Sequence, residues 1–163
     1  MVAPEKEYLV ATHYYFSAES IEDRAILAVS NINAASPIAG KNEPIGAKKS
    51  GMHVRQATPT RQTFQNMKVK LVMNQDNAIQ KWYRDCNKQH TSTGNTWKEN
   101  RKLCWIAGFT QDGTEVVRYE LVNTYPVSYV GPMFGAASGE MAVETVDLQF
   151  EEMNTIGREL GDL

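Results

Sequence analysis

Cysteine is scarce in this sequence: Cys86 and Cys104 are the two in 163 residues. Their spacing forms no CxxC pair, so neither a zinc-ribbon nor a dithiol redox motif is present. Both are expected to be buried thiols packing as small hydrophobes. Long apolar runs are missing too. No stretch approaches the roughly 20 residues that a membrane-spanning helix needs. Met1 to Glu7 carries mixed charge and no apolar core, so the reading expects no Sec signal and folding in the producer's cytoplasm. Charge of one sign is also lacking. A net charge of -2 excludes a strongly basic, phosphate-neutralising domain.

Chemistry-bearing constellations are absent as well. His13, His53 and His90 form no HxH, HxxxH or HExxH spacing, so no metal signature arises. There is no GxGxxG and no GxxxxGK[ST] phosphate loop. The carboxylate pairs Glu22-Asp23 and Glu151-Glu152 are sequence neighbours, which point apart on a strand and make no acid–base couple. No nucleophile is flanked by a recognisable base motif. The reading is therefore of a protein without catalytic site, metal or cofactor.

What is present is alternation. The length suits one domain with a sizeable core, taken here as residues 1–163 with a core of about 10–152. Val10 to Ala18 and Ala25 to Asn31 read as strands. Residues 34–51 are rich in Pro, Gly, Ala, Ser and Lys and read as a long loop, a length that usually signals function. Met67 to Met73 alternates: Val69, Leu71 and Met73 share one face, Lys68 and Lys70 the other. Asn74 or Asp76 then caps a helix running to about Asn87. Ile79, Trp82, Tyr83 and Cys86 form its apolar stripe, with Trp82 as anchor.

Residues 88–102 are polar and read as an exposed loop. Leu103 to Thr110 and Thr114 to Asn123 flank Asp112-Gly113, which predicts a hairpin closed by a two-residue type I′ turn. That register places Cys104, Ile106, Val117, Tyr119 and Leu121 toward the core. Leu103, Trp105, Phe109, Val116 and Val122, with Arg118 and Glu120, face the other way, toward a neighbouring subunit or a water-filled wall. Glu140 to Glu151 reads as a final strand. In it Ala142, Val146, Leu148 and Phe150 share an apolar face that Glu144 interrupts, so Glu144 needs a partner or an interface. Residues 154–163 have a weak helical pattern. The whole is mainly β with one helix, and such strand edges must be covered or paired. Pairing with identical copies in a closed ring is one solution.

Tyr119 to Pro132, reading YELVNTYPVSYVGP, followed by Ala142 to Leu148, reading AVETVDL, resembles the tail tube family of contractile phages. Phe64 to Leu71, and the acidic-start helix ending near Trp82, are similar to the family upstream. The resemblance implies two packed antiparallel sheets forming a tail-tube β-barrel with a flanking helix. It implies hexameric rings stacked into a tube within a contractile sheath, with baseplate and tip proteins as partners and effectors or DNA passing through the lumen. Asn123, Tyr125, Pro126, Val127, Gly131, Pro132 and Glu144 are the motif positions, and the Asn123 to Pro132 set is taken to fix a turn between strands. The same resemblance makes Gly40, Lys41, Pro44, Gly46, Lys48 and Lys49 candidates for ring stacking. Lys68, Lys70, Arg118 and Glu120 become candidates for a lumen wall or interface. A soluble effector-carrier ring of the type VI secretion kind is the alternative function.

Overall fold

The computed structural model describes residues 13–39, 58–88, 96–133, 135 and 139–157. They fall into two compact units, one made from both ends of the chain and one from residues 33–65.

The larger unit is a β-barrel. Strands β1 (Tyr14–Ala18) and β2 (Ile21–Ser30) form an antiparallel pair. In the smaller unit lie β3 (Ala34–Ala35), β4 (Ile38–Ala39), β5 (Thr58–Pro59) and β6 (Thr63–Phe64). The chain re-enters the barrel as β7 (Met67–Val72), then forms α1 (Ala78–Cys86), β8 (Lys102–Phe109), β9 (Glu115–Val130), β10 (Val143–Gln149) and β11 (Glu152–Ile156). The sheet order is β10-β7-β2-β1-β8-β9-β11, and β9 also pairs with β10. That extra pairing closes six strands into a barrel, which removes the edges that an open sheet would expose. β11 extends the sheet beyond it.

The barrel interior is what the alternation promised. Met67, Val69 and Leu71 are buried while Lys68 and Lys70 are exposed. Cys104, Ile106, Val117 and Leu121 line the core with Phe16, Val146, Leu148 and Phe150, and Tyr119 is half-buried. Both cysteines are free and buried. Burial pushes the Cys86 thiol up to about 11, and the Cys104 thiol further still. Such thiols are poor nucleophiles at neutral pH.

Helix α1 docks by its stripe. Ile79, Trp82 and Cys86 are buried, and Tyr83 stacks on Tyr129 of β9 with ring centroids 6.1 Å apart. Trp82 Nε1 donates to the Asn100 carbonyl at 2.8 Å, so the indole's one polar atom is satisfied as it enters the core. The cap differs from the sequence reading. Asn77 is the N-cap and makes no side-chain cap bond. Asn74 Oδ1 instead accepts from the Asp76 N–H at 2.8 Å, an Asx turn, and the Asp76 carboxylate is taken by Arg24. Among the described residues no helix is long and apolar enough to cross a membrane.

Other boundaries also differ. β2 starts at Ile21, because its charged residues Glu22 and Asp23 sit exposed and hide the strand from a hydrophobicity reading. Positions 10–12 of the expected first strand lie outside the described residues. The expected 34–51 loop begins as strand: Ala34 and Ala35 pair with Phe64 and Thr63, and Ile38 and Ala39 with Pro59 and Thr58. The rest of that loop, 40–51, lies outside the described residues. The hairpin turn is a three-residue loop, Gln111-Asp112-Gly113, closed by Thr110 N–H to the Thr114 carbonyl at 2.9 Å and Gly113 N–H to the Thr110 carbonyl at 3.0 Å. Gly113 alone in it has positive φ, +82°. A type I′ turn needs positive φ at both central residues, so the turn is instead a type I bend followed by a left-handed glycine. Finally, residues 152–156, read partly as a helical tail, form β11 along β9.

Candidate functional site: a bent seam and two outward faces

The strongest motif, Asn123 to Pro132, was read as a turn between strands. Asn123, Tyr125, Pro126 and Val127 instead sit inside one 16-residue strand, β9. The first half of β9 pairs with β8 on one edge and β11 on the other, and its second half pairs with β10. β10 and β11 follow each other along β9, with Gln149 opposite Tyr125 and Glu152 opposite Val122. The two paths bend together, β9 at Asn123 and its partner at Phe150-Glu151.

Asn123 makes this possible. Its backbone adopts φ +54°, a left-handed conformation that asparagine tolerates better than most residues. Its Nδ2 donates to Glu151 Oε2 at 2.7 Å, and the Glu151 N–H donates to the Val122 carbonyl at 3.1 Å. Arg101 Nη1 holds the other Glu151 oxygen at 2.8 Å. The Arg101 guanidinium also lies 5.3 Å from the Trp97 ring centroid, and Trp97 packs 5.2 Å from the Tyr125 ring. The 96–101 segment, read as part of an exposed polar loop, is thus fastened onto the bend.

Pro126 stands opposite Leu148 at an irregularity in the β9–β10 ladder. A residue without an N–H belongs at such a break. Its carbonyl accepts from Asn87 Nδ2 at 2.9 Å, which ties the end of α1 to the same strand. Val127 is half-buried, and Gly131 and Pro132 follow the strand's end. Glu144 points inward, 2% exposed, and accepts from the Tyr129 hydroxyl at 3.1 Å. That bond satisfies one of its two oxygens; Oε1 has no protein partner among the described residues. Burial raises the Glu144 carboxyl above its ordinary range, against the opposing pull of the Tyr129 bond and Arg24.

The charged candidates occupy two outward faces that the fold does not bring together, since β7 and β9 are not paired. On β7, Lys68 stands opposite Asp147 of β10 with Nζ 3.8 Å from Oδ1. Lys70 faces Thr145 and Ala28, so neither residue directly opposite it is acidic. On β9, Arg118 grips Glu115 with two bonds of 2.7 Å, which holds the Glu115 carboxyl below its ordinary value. Glu120 accepts from Trp105 Nε1 at 3.3 Å. Around them Tyr15, 40% exposed, meets Phe109 edge-on at 5.6 Å. This face is aromatic and charged, as its alternation indicated. Gly40, Lys41, Pro44, Gly46, Lys48 and Lys49 lie outside the described residues. The sequence reading missed Arg24 and took Asp76 only as a helix cap, so it missed the bond between Arg24 and Asp76. Their link spans a strand and a distant loop, and no local pattern signals it.

A search of curated proteins returned no match. Among solved structures, a chain of the anti-feeding prophage baseplate is similar at 17% identity, over 98% of this chain and 100% of that one, with a TM-score of 0.65. A chain of the PVC extracellular contractile injection system sheath–tube complex in the extended state is similar at 15% identity, over 94% of each chain, TM-score 0.65. Hcp1 from Flavobacterium johnsoniae is similar at 15% identity, over 95% of this chain and 100% of that one, TM-score 0.58. At these identities the likeness is one of fold. The sequence profile described as T4-like virus tail tube protein gp19 matches residues 10–154, nearly the whole chain and all of the bent seam. The chain belongs to that tail tube family and is a structural tail tube protein.

Proposed function

We propose that the protein assembles into hexameric rings that stack as the inner tube of a contractile particle, and that its role is mechanical and not catalytic. The observation that carries this reading is on the barrel's outside. The six-strand barrel closes on itself, yet β11 has one edge unpaired among the described strands, and the adjoining face presents Tyr15, Phe109 and Trp105 beside Arg118 and Glu120. An unpaired strand edge next to an aromatic, charged face suits contact with an identical neighbour. Rotation by a closed ring would then place one outward charged face toward a lumen. Lys68, Lys70, Arg118 and Glu120 are its candidates.

In this reading the 33–65 unit, with Gly40, Lys41, Pro44, Gly46, Lys48 and Lys49, makes ring-to-ring contacts as part of one functional subunit. The sheath encloses the tube, and baseplate proteins template it. Similar folds come from a prophage baseplate and from a sheath–tube complex, which supports that choice of partners. Effectors or DNA would travel in the lumen. Assembly would take place in the producing bacterium's cytoplasm, within a phage tail or a related injection particle.

The likeness to Hcp1 favours one second reading, a carrier ring released without a sheath. Size-exclusion with light scattering, followed by negative-stain microscopy, tests both. Hexameric rings that stack, and that are enclosed when the neighbouring sheath protein is co-expressed, support the tube. Rings that never stack and never recruit sheath support the carrier. A monomer that joins neither, with sheath and baseplate proteins present, overturns both.

A further inference from the structure

The barrel turns two sheet faces outward, and the strand registers sort them into unlike surfaces. Side chains opposite one another on paired strands share a face. Lys68 and Lys70 are exposed between the buried Met67, Val69 and Leu71, so the residues opposite them lie on the same outward face. One row runs Val130, Thr145, Lys70 and Ala28 across β9, β10, β7 and β2. The next runs Ser128, Asp147, Lys68 and Ser30. These rows hold small, hydroxyl-bearing and charged side chains and no aromatic ring. The other sheet differs. Its row through β1, β8, β9 and β11 holds Tyr15, Arg118 and Ile156, and the row beside it holds Trp105 and Glu120. Tyr15 is 40% exposed and Ile156 47%.

Exposed aromatic and arginine side chains are enriched where proteins hold one another. A wall that lets cargo pass needs the reverse, since each bare ring would grip what touches it. Charge differs as well. Arg118 is matched by Glu115. Lys68 stands 3.8 Å from Asp147, whereas Lys70 has Thr145 and Ala28 opposite it. The two polar rows thus carry two lysines against one aspartate, an excess of one positive charge per subunit. We propose that the β2–β7–β10–β9 face is the lumen wall, and that Lys70, repeated around the ring, makes the lumen attract anionic groups. Ring symmetry sets every copy of Lys70 at one height. Their fields add across a cavity whose low-dielectric walls focus them. The face of Tyr15, Trp105 and Arg118 then lies away from the lumen as a contact surface. This inference rests on the ring reading above and narrows its four candidate residues to Lys68 and Lys70.

The test uses rings of the full chain carrying one introduced cysteine. Cys86 and Cys104 are buried, and their raised thiol values keep them protonated and slow to react. A thiol-reactive gold label on Ala28→Cys is expected at the centre of rings seen end-on, and on Ser17→Cys, which stands opposite Trp105, away from it. Ala28→Cys should also favour a sulfonate-bearing thiosulfonate over its trimethylammonium counterpart by about tenfold relative to Ser17→Cys. Lys70→Gln should abolish that preference. Gold on Ala28→Cys at the outer rim overturns the wall assignment and leaves the ring reading standing. Gold at the centre without the anion preference overturns the role of Lys70. A parent chain that forms no ring overturns the reading and the inference together. Should Ala28→Cys disturb folding, Ser30→Cys, one row along, carries the same two readouts.

Discussion

Asn123 Nδ2 meets Glu151 Oε2 at 2.7 Å while the Asn123 backbone stands at φ +54°. One residue therefore supplies both the left-handed step that bends β9 and the bond that bends its partner path alongside. The two contributions separate by mutation. Asn123→Val faces left-handed strain and loses the bond, and should lower unfolding free energy by about 2 kcal/mol. Asn123→Gly keeps the backbone and loses only a solvent-accessible bond, and should cost roughly half as much. Urea denaturation of the two variants checks this order. Equal losses would mean that the side chain, not the backbone, sets the bend.

Two glycines should fail for different reasons. A Cβ on Gly108 would lie 2.8 Å from both Tyr14 Cε1 and Val117 Cγ1, so Gly108→Ala overpacks the hairpin and should cost about 1–3 kcal/mol. Val117→Ala opens part of that space, so the double variant should lose less than the sum of the singles. Gly113 has open space around it but φ +82°. Gly113→Val should therefore cost about 1–2 kcal/mol through the backbone alone, and Gly113→Asn much less. Thermal melts, with ring formation followed by light scattering, read both.

Trp82 is 3% exposed and donates to the Asn100 carbonyl. Trp82→Ala should cost about 3–5 kcal/mol. Trp82→Phe fills most of the space but leaves the Asn100 carbonyl only the weak Cys86 Sγ contact at 3.7 Å, and should cost about 1–2 kcal/mol. A Phe variant as damaging as Ala would place the anchor's worth in the hydrogen bond.

Glu144 predicts a pH dependence with a definite sign. Burial raises its carboxyl above the unfolded value. Between those two values the unfolded chain has already lost the proton that the folded one keeps, so stability from this group falls as pH rises through that window. The groups facing it are Tyr129 on β9, Arg24 on β2 and Asp76 before α1. Glu144→Gln removes the titration. Its melting temperature relative to the parent should rise as pH climbs upward from the ordinary carboxylate range. A constant offset over that climb would show that Glu144 titrates normally in the fold.

Much of the barrel was legible, because a period of two with one buried face leaves a plain trace. Met67, Val69 and Leu71 show it, as do Cys104, Ile106, Val117 and Leu121. What failed was punctuation. Asn123 and Pro126 carry turn chemistry, yet a left-handed asparagine can bend a strand without ending it, and a proline can sit where the ladder is already irregular. β11 was hidden because Glu152, Thr155 and Ile156 are exposed on a short strand with little apolar contrast. The Glu144 position was readable as an anomaly, a charge on an apolar face. Its surroundings were not, since Arg24 and Asp76 are 52 positions apart in sequence.

The unbroken course of β9 has a mechanical meaning. Where a loop joins two sheets, a push is partly absorbed as the joint flexes. Here a single strand passes through the bend, flanked by β8, β11 and β10 in turn, and the bend itself is bolted by Glu151 and Arg101. A load entering one half of the barrel is handed to the other as tension along covalent backbone and shear across many hydrogen bonds at once. A barrel built this way deforms little at the bend, so force on one half is passed directly to the other.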